Sequence, residues 1–152
     1  MYQHILVPTD GSPLADEMIK RAVQFARSIG AWITFLYVIP DESADFFGNA
    51  ALIRSISPAQ FVERHTLQPD EILSRAASCA FDSNVACEKV IEQGVATYQA
   101  ILRNAISKNC DLIFMASHGR KSKIGMMIDS ETLKVLMASK VPVLVSSMSD
   151  LA

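Results

Sequence analysis

The chain has 152 residues, with 14 Lys and Arg against 16 Asp and Glu, and a formal net charge of -2. That length suits one domain, and a composition 50% hydrophobic and 20% charged is that of a folded globular chain, not a disordered one. The slightly acidic total lacks the basic footprint of general nucleic-acid binding, and no run of about 18 apolar residues offers a membrane span.

The first four residues carry no basic patch, and the apolar run Ile5, Leu6, Val7 is cut at once by Pro8. No signal peptide is expected, and the cytoplasm is the expected location. Short β-branched apolar runs at 4–7, 32–38, 85–91, 111–115 and 143–145 predict five strands. The runs around Phe35 and Phe114 are almost continuously apolar, as strands covered on both faces are.

Four helical stretches separate these runs. In the first, Ser12 is a candidate cap, Pro13 occupies the first helical position and Gly30 is placed to end the helix. Leu14, Met18, Ala22, Val23, Ala26 and Ile29 fall on its inward face. The second begins at Ser57-Pro58-Ala59-Gln60 with capping-box spacing, and Pro69 must kink or divide it. Its apolar face is Ile72, Leu73, Ala76 and Ala80. The third turns Tyr98, Ile101, Leu102, Ala105 and Ile106 inward. The last runs from about Ser130 to Ser139, with Leu133, Leu136 and Met137 inward.

The alternation βαβαβαβαβ implies an α/β domain, a doubly wound parallel sheet with helices on both faces. Two irregular stretches, 40–56 with Phe46 and Phe47 as candidates for a lid or for burial in a dimer, and 117–129, are long enough to expect function there. The segment from Ser146 onward reads as a short polar tail that frays. Cys79, Cys87 and Cys110 are odd in number and lack Cys-x-x-Cys spacing, which argues against both a disulfide framework and a zinc site. They read as small buried hydrophobes.

Open sheets of this kind bind ligands at the carboxyl ends of their strands, where the strand order reverses. Two such ends stand out. One is Pro8-Thr9-Asp10-Gly11-Ser12. The other runs from Ala116 through Ser117, His118, Gly119, Arg120, Lys121 and Lys123 to Asp129-Ser130 at the start of the last helix. The second combines glycine, hydroxyls, cations and a helix N-terminus, the components of a phosphate site. His118 has no nucleophile or paired carboxylate beside it in the sequence and reads as a conformational residue.

At these residues the chain resembles the universal stress protein (UspA) family in its single-domain form. Residues 2–12 match the family's first strand and acidic turn. Residues 92–111 match its third helix and flanks, and residues 111–145 match its C-terminal signature, including Lys140-Val141-Pro142-Val143-Leu144-Val145. The resemblance implies one domain over residues 1–147 with a tail at 148–152, and a Rossmann-like five-stranded parallel sheet of order 3-2-1-4-5. It also implies homodimers through the last strand at 143–145. Nucleotide-binding members bind ATP with Gly-x2-Gly-x9-Gly-Ser/Thr. On this chain those positions are Ala116, Gly119, Asp129 and Ser130, so two of the four agree.

The resemblance thus implies an adenine-nucleotide site, for ATP or a relative, made from Pro8, Thr9, Asp10, Val38, Met115, Ala116, Gly119, Arg120, Asp129, Ser130 and Glu131. Magnesium would arrive with the nucleotide and meet Asp10; no protein metal site is expected. Ala116 adds one methyl to the phosphate motif. Asp129 adds a carboxylate that repels phosphate by about 3 kcal/mol at about 5 Å and an effective dielectric of about 20, which lowers affinity or favours fewer phosphates. The expected role is a regulatory module of the stress response with an unidentified protein partner. The alternative is a homodimeric interaction protein that has lost the nucleotide. The Ser-Gly-Gly-x-Asp-Ser loop of adenine-nucleotide hydrolases is replaced here by Thr9-Asp10-Gly11-Ser12-Pro13. Dedicated catalysis is therefore not expected, weak ATP hydrolysis being the residual enzymatic reading.

Overall fold

Strands with two covered faces need residues of opposite parity packed against different helices, and the computed structural model has that arrangement. It describes residues 1–39, 68–94, 96–119 and 130–149. The strands are β1 (His4–Pro8), β2 (Trp32–Ile39), β3 (Cys87–Gln93), β4 (Leu112–Gly119) and β5 (Val143–Ser149). The helices are α1 (Pro13–Ile29), α2 (Pro69–Asp82), α3 (Thr97–Ser107) and α4 (Ser130–Ala138). All strand pairings are parallel, in the expected order β3-β2-β1-β4-β5.

Ile5, Val7, Ile33, Phe35, Leu112 and Phe114 point to one face and pack with Met18, Ala22 and Val23 of α1 and Leu73, Ala76 and Ala80 of α2. Leu6, Leu36, Ile113 and Met115 point to the other, against Ile101 and Ala105 of α3 and Val135 of α4. The period-two alternation of a strand thus serves two separate cores.

α1 starts where Ser12 Oγ accepts the Ala15 N–H at 3.1 Å and stops at Gly30, whose φ of +70° is left-handed. α2 begins at Pro69, the first helical position. The expected helical stretch before it, with its start at Ser57, lies outside the described residues, like Phe46 and Phe47.

Four expectations are corrected. The segment from Ser146 does not begin a frayed tail: residues 146–149 pair in register with residues 116–119 of β4, and Arg21 of α1 donates to Ser146 Oγ and the Ser147 carbonyl at 3.1 and 3.0 Å. For the same reason β4 continues through Gly119, where a loop was expected from Ser117. On α4, Leu133, Leu136 and Met137 are exposed by 39%, 36% and 81%, whereas Thr132 and Val135 are buried. The Thr132 hydroxyl donates to the Ala116 carbonyl at 3.2 Å, which sets the rotation of the helix. On α3, Ile106 is likewise exposed and Asn104 takes an inward place, bonded to Glu92 and to the Ala100 carbonyl. Among the described residues no helix is long and apolar enough to cross a membrane.

Candidate functional site

The sheet order reverses between β1 and β4. The chain leaves β1 into α1 on one face, and α4, which follows β4, lies on the other. Open sheets of this kind bind ligands at such a reversal, outside the carboxyl ends of the strands.

One side of the candidate site is the turn after β1. Pro8 pairs with Leu36, and the Thr9 N–H donates to the Leu36 carbonyl at 2.9 Å, carrying the β1–β2 ladder one residue further. Thr9 is buried, and its Oγ1 accepts the Gly11 N–H at 3.3 Å. Asp10 is exposed, and its Oδ1 accepts the Ser12 N–H at 2.9 Å. Both side chains close the turn on itself, as Asx and hydroxyl turns do. Asp10 therefore has a structural duty in any reading. Gly11 has a φ of +78°, and a Cβ there would lie 2.6 Å from Ile72 Cδ1 of α2.

Val38 lies half-buried near the end of β2. Burial raises the pKa of the neighbouring Tyr37 phenol, and the charge of Asp10 adds to the shift. Tyr37 thus lies within electrostatic reach of the turn, a proximity that the sequence alone did not signal.

The other side is the end of β4 and the start of α4. Met115 is buried in the second core, Ala116 is half-buried, and the Ala116 carbonyl is tied to Thr132. Gly119 ends β4 and Ser130 opens α4. Arg120, Lys121, Lys123 and Asp129 lie outside the described residues.

Glu131 is in the first turn of α4, but its carboxylate reaches across to α3. One oxygen accepts the Tyr98 N–H at 3.1 Å, and the other lies 3.2 Å from Lys134 Nζ. The α3 N-cap is Ala96, which has no side chain able to cap, so Glu131 supplies from a neighbouring helix what the local sequence lacks. Lys134 also lies 5.5 Å from the Tyr98 ring centroid. Losing a helix cap costs about 1 kcal/mol. We expect Glu131→Ala to lower stability by about that amount in chemical denaturation, and Glu131→Gln by less, because its amide oxygen still accepts.

Sequence-predicted residues from β1 (Pro8, Thr9, Asp10), β2 (Val38), β4 (Met115, Ala116, Gly119) and α4 (Ser130) thus lie at one end of the sheet. Glu131 is at the same end, directed to α3. Thr132, Tyr37 and Arg75 were not singled out from sequence, and Ile72 only as part of an apolar helix face. Arg75 Nη2 lies 3.4 Å from Asp16 and 3.5 Å from the Gly11 carbonyl, where it supports the first turn. Only contacts distant in the chain mark these residues. Among the described residues no group of three or more His, Cys, Asp or Glu side chains is placed to hold a metal ion.

The strand order, the parallel pairing and helices on both faces define an open, doubly wound α/β domain of the Rossmann-like class. The chain belongs to the universal stress protein family, whose model matches residues 1–147. It is 27% identical to universal stress protein YxiE of Bacillus subtilis, over 95% of this chain and 99% of that one. Its fold is similar to the solved structure of MJ0577, a protein of Methanocaldococcus jannaschii (TM-score 0.72, 23% identity, 99% of each chain). It is also similar to a universal stress protein in complex with cAMP (TM-score 0.66, 24% identity, 96% of this chain and 97% of that one). A further similar structure is the Archaeoglobus fulgidus universal stress protein in complex with dAMP (TM-score 0.63, 18% identity, 95% and 97%).

Proposed function

We propose that this chain is a cytoplasmic regulatory module of the stress response that binds an adenine nucleotide outside the carboxyl ends of β1 and β4. The observation that carries the reading is the convergence, at the reversal of strand order, of the Asp10 turn, Val38, Ala116 and the N-terminus of α4. The cAMP and dAMP complexes of similar folds support an adenine ligand.

In this reading Val38 and Met115 face the base, with Pro8 and Thr9 holding the first turn beside them. Asp10 takes the ribose or a nucleotide-bound magnesium ion. Gly119, Arg120 and Ser130 take phosphate, with Ala116 alongside. Glu131 acts through its hold on α3, fixing the start of α4. Asp129 opposes each added phosphate charge, so the site favours a nucleotide with fewer phosphates than ATP. Among the described residues β5 is an edge strand of the sheet, which suits pairing with a second copy through residues 143–145. A dimer would present the ligand state to a regulatory protein partner, a binding role rather than a catalytic one.

Isothermal titration with AMP, cAMP and ATP, each with and without magnesium, tests the reading. We expect heat from the monophosphates at ligand concentrations of a millimolar or below, and weaker heat from ATP. Absence of heat from all three would leave the dimeric interaction protein without nucleotide as the standing account.

A further inference from the structure

At the amino-terminal end of the strands, three strands and one turn meet around a buried histidine. His4 is 5% exposed. Its Nε2 lies 2.6 Å from Thr34 Oγ1 of β2 and 3.6 Å from Cys110 Sγ in the turn before β4. Thr34 is fully buried and donates its hydroxyl to Glu88 Oε1 of β3 at 2.8 Å. With that proton committed, Thr34 Oγ1 is left to accept from the imidazole. Lys108 Nζ lies 3.6 Å from the same Glu88 oxygen. Asp111 accepts the N–H groups of Gln3 and His4 at 2.8 and 3.0 Å, tying β1 to the start of β4. Trp32 of β2 stacks on the imidazole, with ring centroids 3.4 Å apart and planes 11° apart.

The groups facing His4 are therefore Trp32 and Thr34 from β2, Glu88 from β3, and Lys108, Asn109, Cys110 and Asp111 from the turn between α3 and β4. Burial lowers the His4 pKa from its ordinary value of 6.5, and it prevails over Glu88, Asp111 and the carbonyls of Lys108 and Asn109, which favour the imidazolium. The Cys110 thiol, pushed up to about 12 mainly by burial, stays a neutral S–H and offers no compensating charge. We infer that His4 is a proton-sensitive tie: while neutral it joins β1 to β2, β3 and the turn into β4, and a proton taken up in mild acid loosens that seam.

The sign follows from linkage. A folded-state pKa below the unfolded value means that the unfolded chain binds the proton first. The stabilisation is complete above pH 6.5 and is lost as pH falls through the lower folded-state value. Within that window one proton raises the unfolding constant by at most about tenfold per pH unit.

Trp32 is the sole tryptophan and reports directly on its stacked neighbour, because an imidazolium quenches indole emission. The experiment is a titration of Trp32 fluorescence from pH 7.5 to 4.5 in the folded chain, with guanidinium unfolding at the same pH values, for wild type, His4→Gln and Glu88→Gln. We expect a one-proton quenching step below pH 6.5 in the wild type and no such step in His4→Gln. In Glu88→Gln the step moves to lower pH, since the charge that favours the imidazolium is gone. The wild type should also lose stability more steeply than His4→Gln across the step. A flat wild-type signal, the same step in folded His4→Gln, or a step unmoved in Glu88→Gln overturns the inference. Should His4→Gln fail to fold, the wild type and Glu88→Gln decide it.

Discussion

Replacing Asp129 with glycine should raise nucleotide affinity by up to roughly a hundredfold for each phosphate charge held close to it, and so by more for ATP than for cAMP. Asp129 precedes Ser130, the first residue of α4, where the helix dipole favours an anion. The carboxylate occupies the place in the sequence where the family motif has glycine. One phosphate charge about 5 Å away is repelled by about 3 kcal/mol at an effective dielectric of about 20, and each 1.4 kcal/mol is about tenfold in affinity. ATP carries several such charges and cAMP one, so the gain should grow with phosphate count. Two controls separate the causes. Asp129→Asn keeps the size and capping ability of the side chain while removing its charge, so it should recover most of the gain. Added salt should shrink the difference between wild type and variant. If magnesium bridges Asp129 to the phosphates, the glycine variant would bind ATP more weakly in magnesium, and the repulsive account would be wrong. The measurement is titration calorimetry at two salt concentrations, with and without magnesium.

Most of the scaffold could be read from residues whose local pattern and final environment agree. Ile5, Val7, Ile33 and Phe35 alternate with Leu6, Thr34 and Leu36 because the sheet has two covered faces, and all seven are buried. Ser12, Pro13 and Gly30 bound α1 by chemistry confined to a few neighbouring residues. The errors fall where a distant partner decides. On α4, Leu133, Leu136 and Met137 form a plausible apolar stripe, but the Thr132 bond to the Ala116 carbonyl turns the helix so that Thr132 and Val135 face inward. Glu131 reads as an acid in the first turn of a helix. Its partner is the Tyr98 N–H, 33 residues earlier, and nothing nearby in the sequence announces an uncapped helix needing it. The strand at 146–149 looks like a polar tail until its pairing with β4 and its bonds to Arg21 are known. The His4 cluster joins residues 30 and 106 positions apart, beyond any motif. The positions of the candidate site were readable because they follow strand ends, which the pattern locates. Their division of labour was not, because it depends on which hydrogen bonds each side chain has already made.

Gly11 is the position in the first turn where this dependence has the largest expected cost. Its φ of +78° is left-handed, a conformation that costs a residue with a side chain roughly 1–2 kcal/mol. An added Cβ would lie 2.6 Å from Ile72 Cδ1 and 2.9 Å from Ile72 Cγ1. Ile72 is 4% exposed and has little room to withdraw, and overpacking of this kind costs about 1–3 kcal/mol. Gly11→Ala should therefore destabilise the chain by about 2–5 kcal/mol in equilibrium denaturation, a large part of the total stability of a domain this size. The two contributions can be separated. Ile72→Val removes Cδ1 and costs about 1 kcal/mol alone. In the Gly11→Ala background it should cost less than that, or stabilise, because the clash is relieved while the backbone penalty stays. Additive effects in this double-mutant cycle would mean that the α2 contact is not what constrains Gly11. Function should follow the geometry. The turn that holds Gly11 is closed by Thr9 Oγ1 on its own N–H and by Asp10 Oδ1 on Ser12. A shift that relieves the alanine must move the Asp10 carboxylate, so nucleotide affinity should fall in the folded variant. The Ile72→Val second change should restore affinity together with stability if the contact with α2 is what positions Asp10.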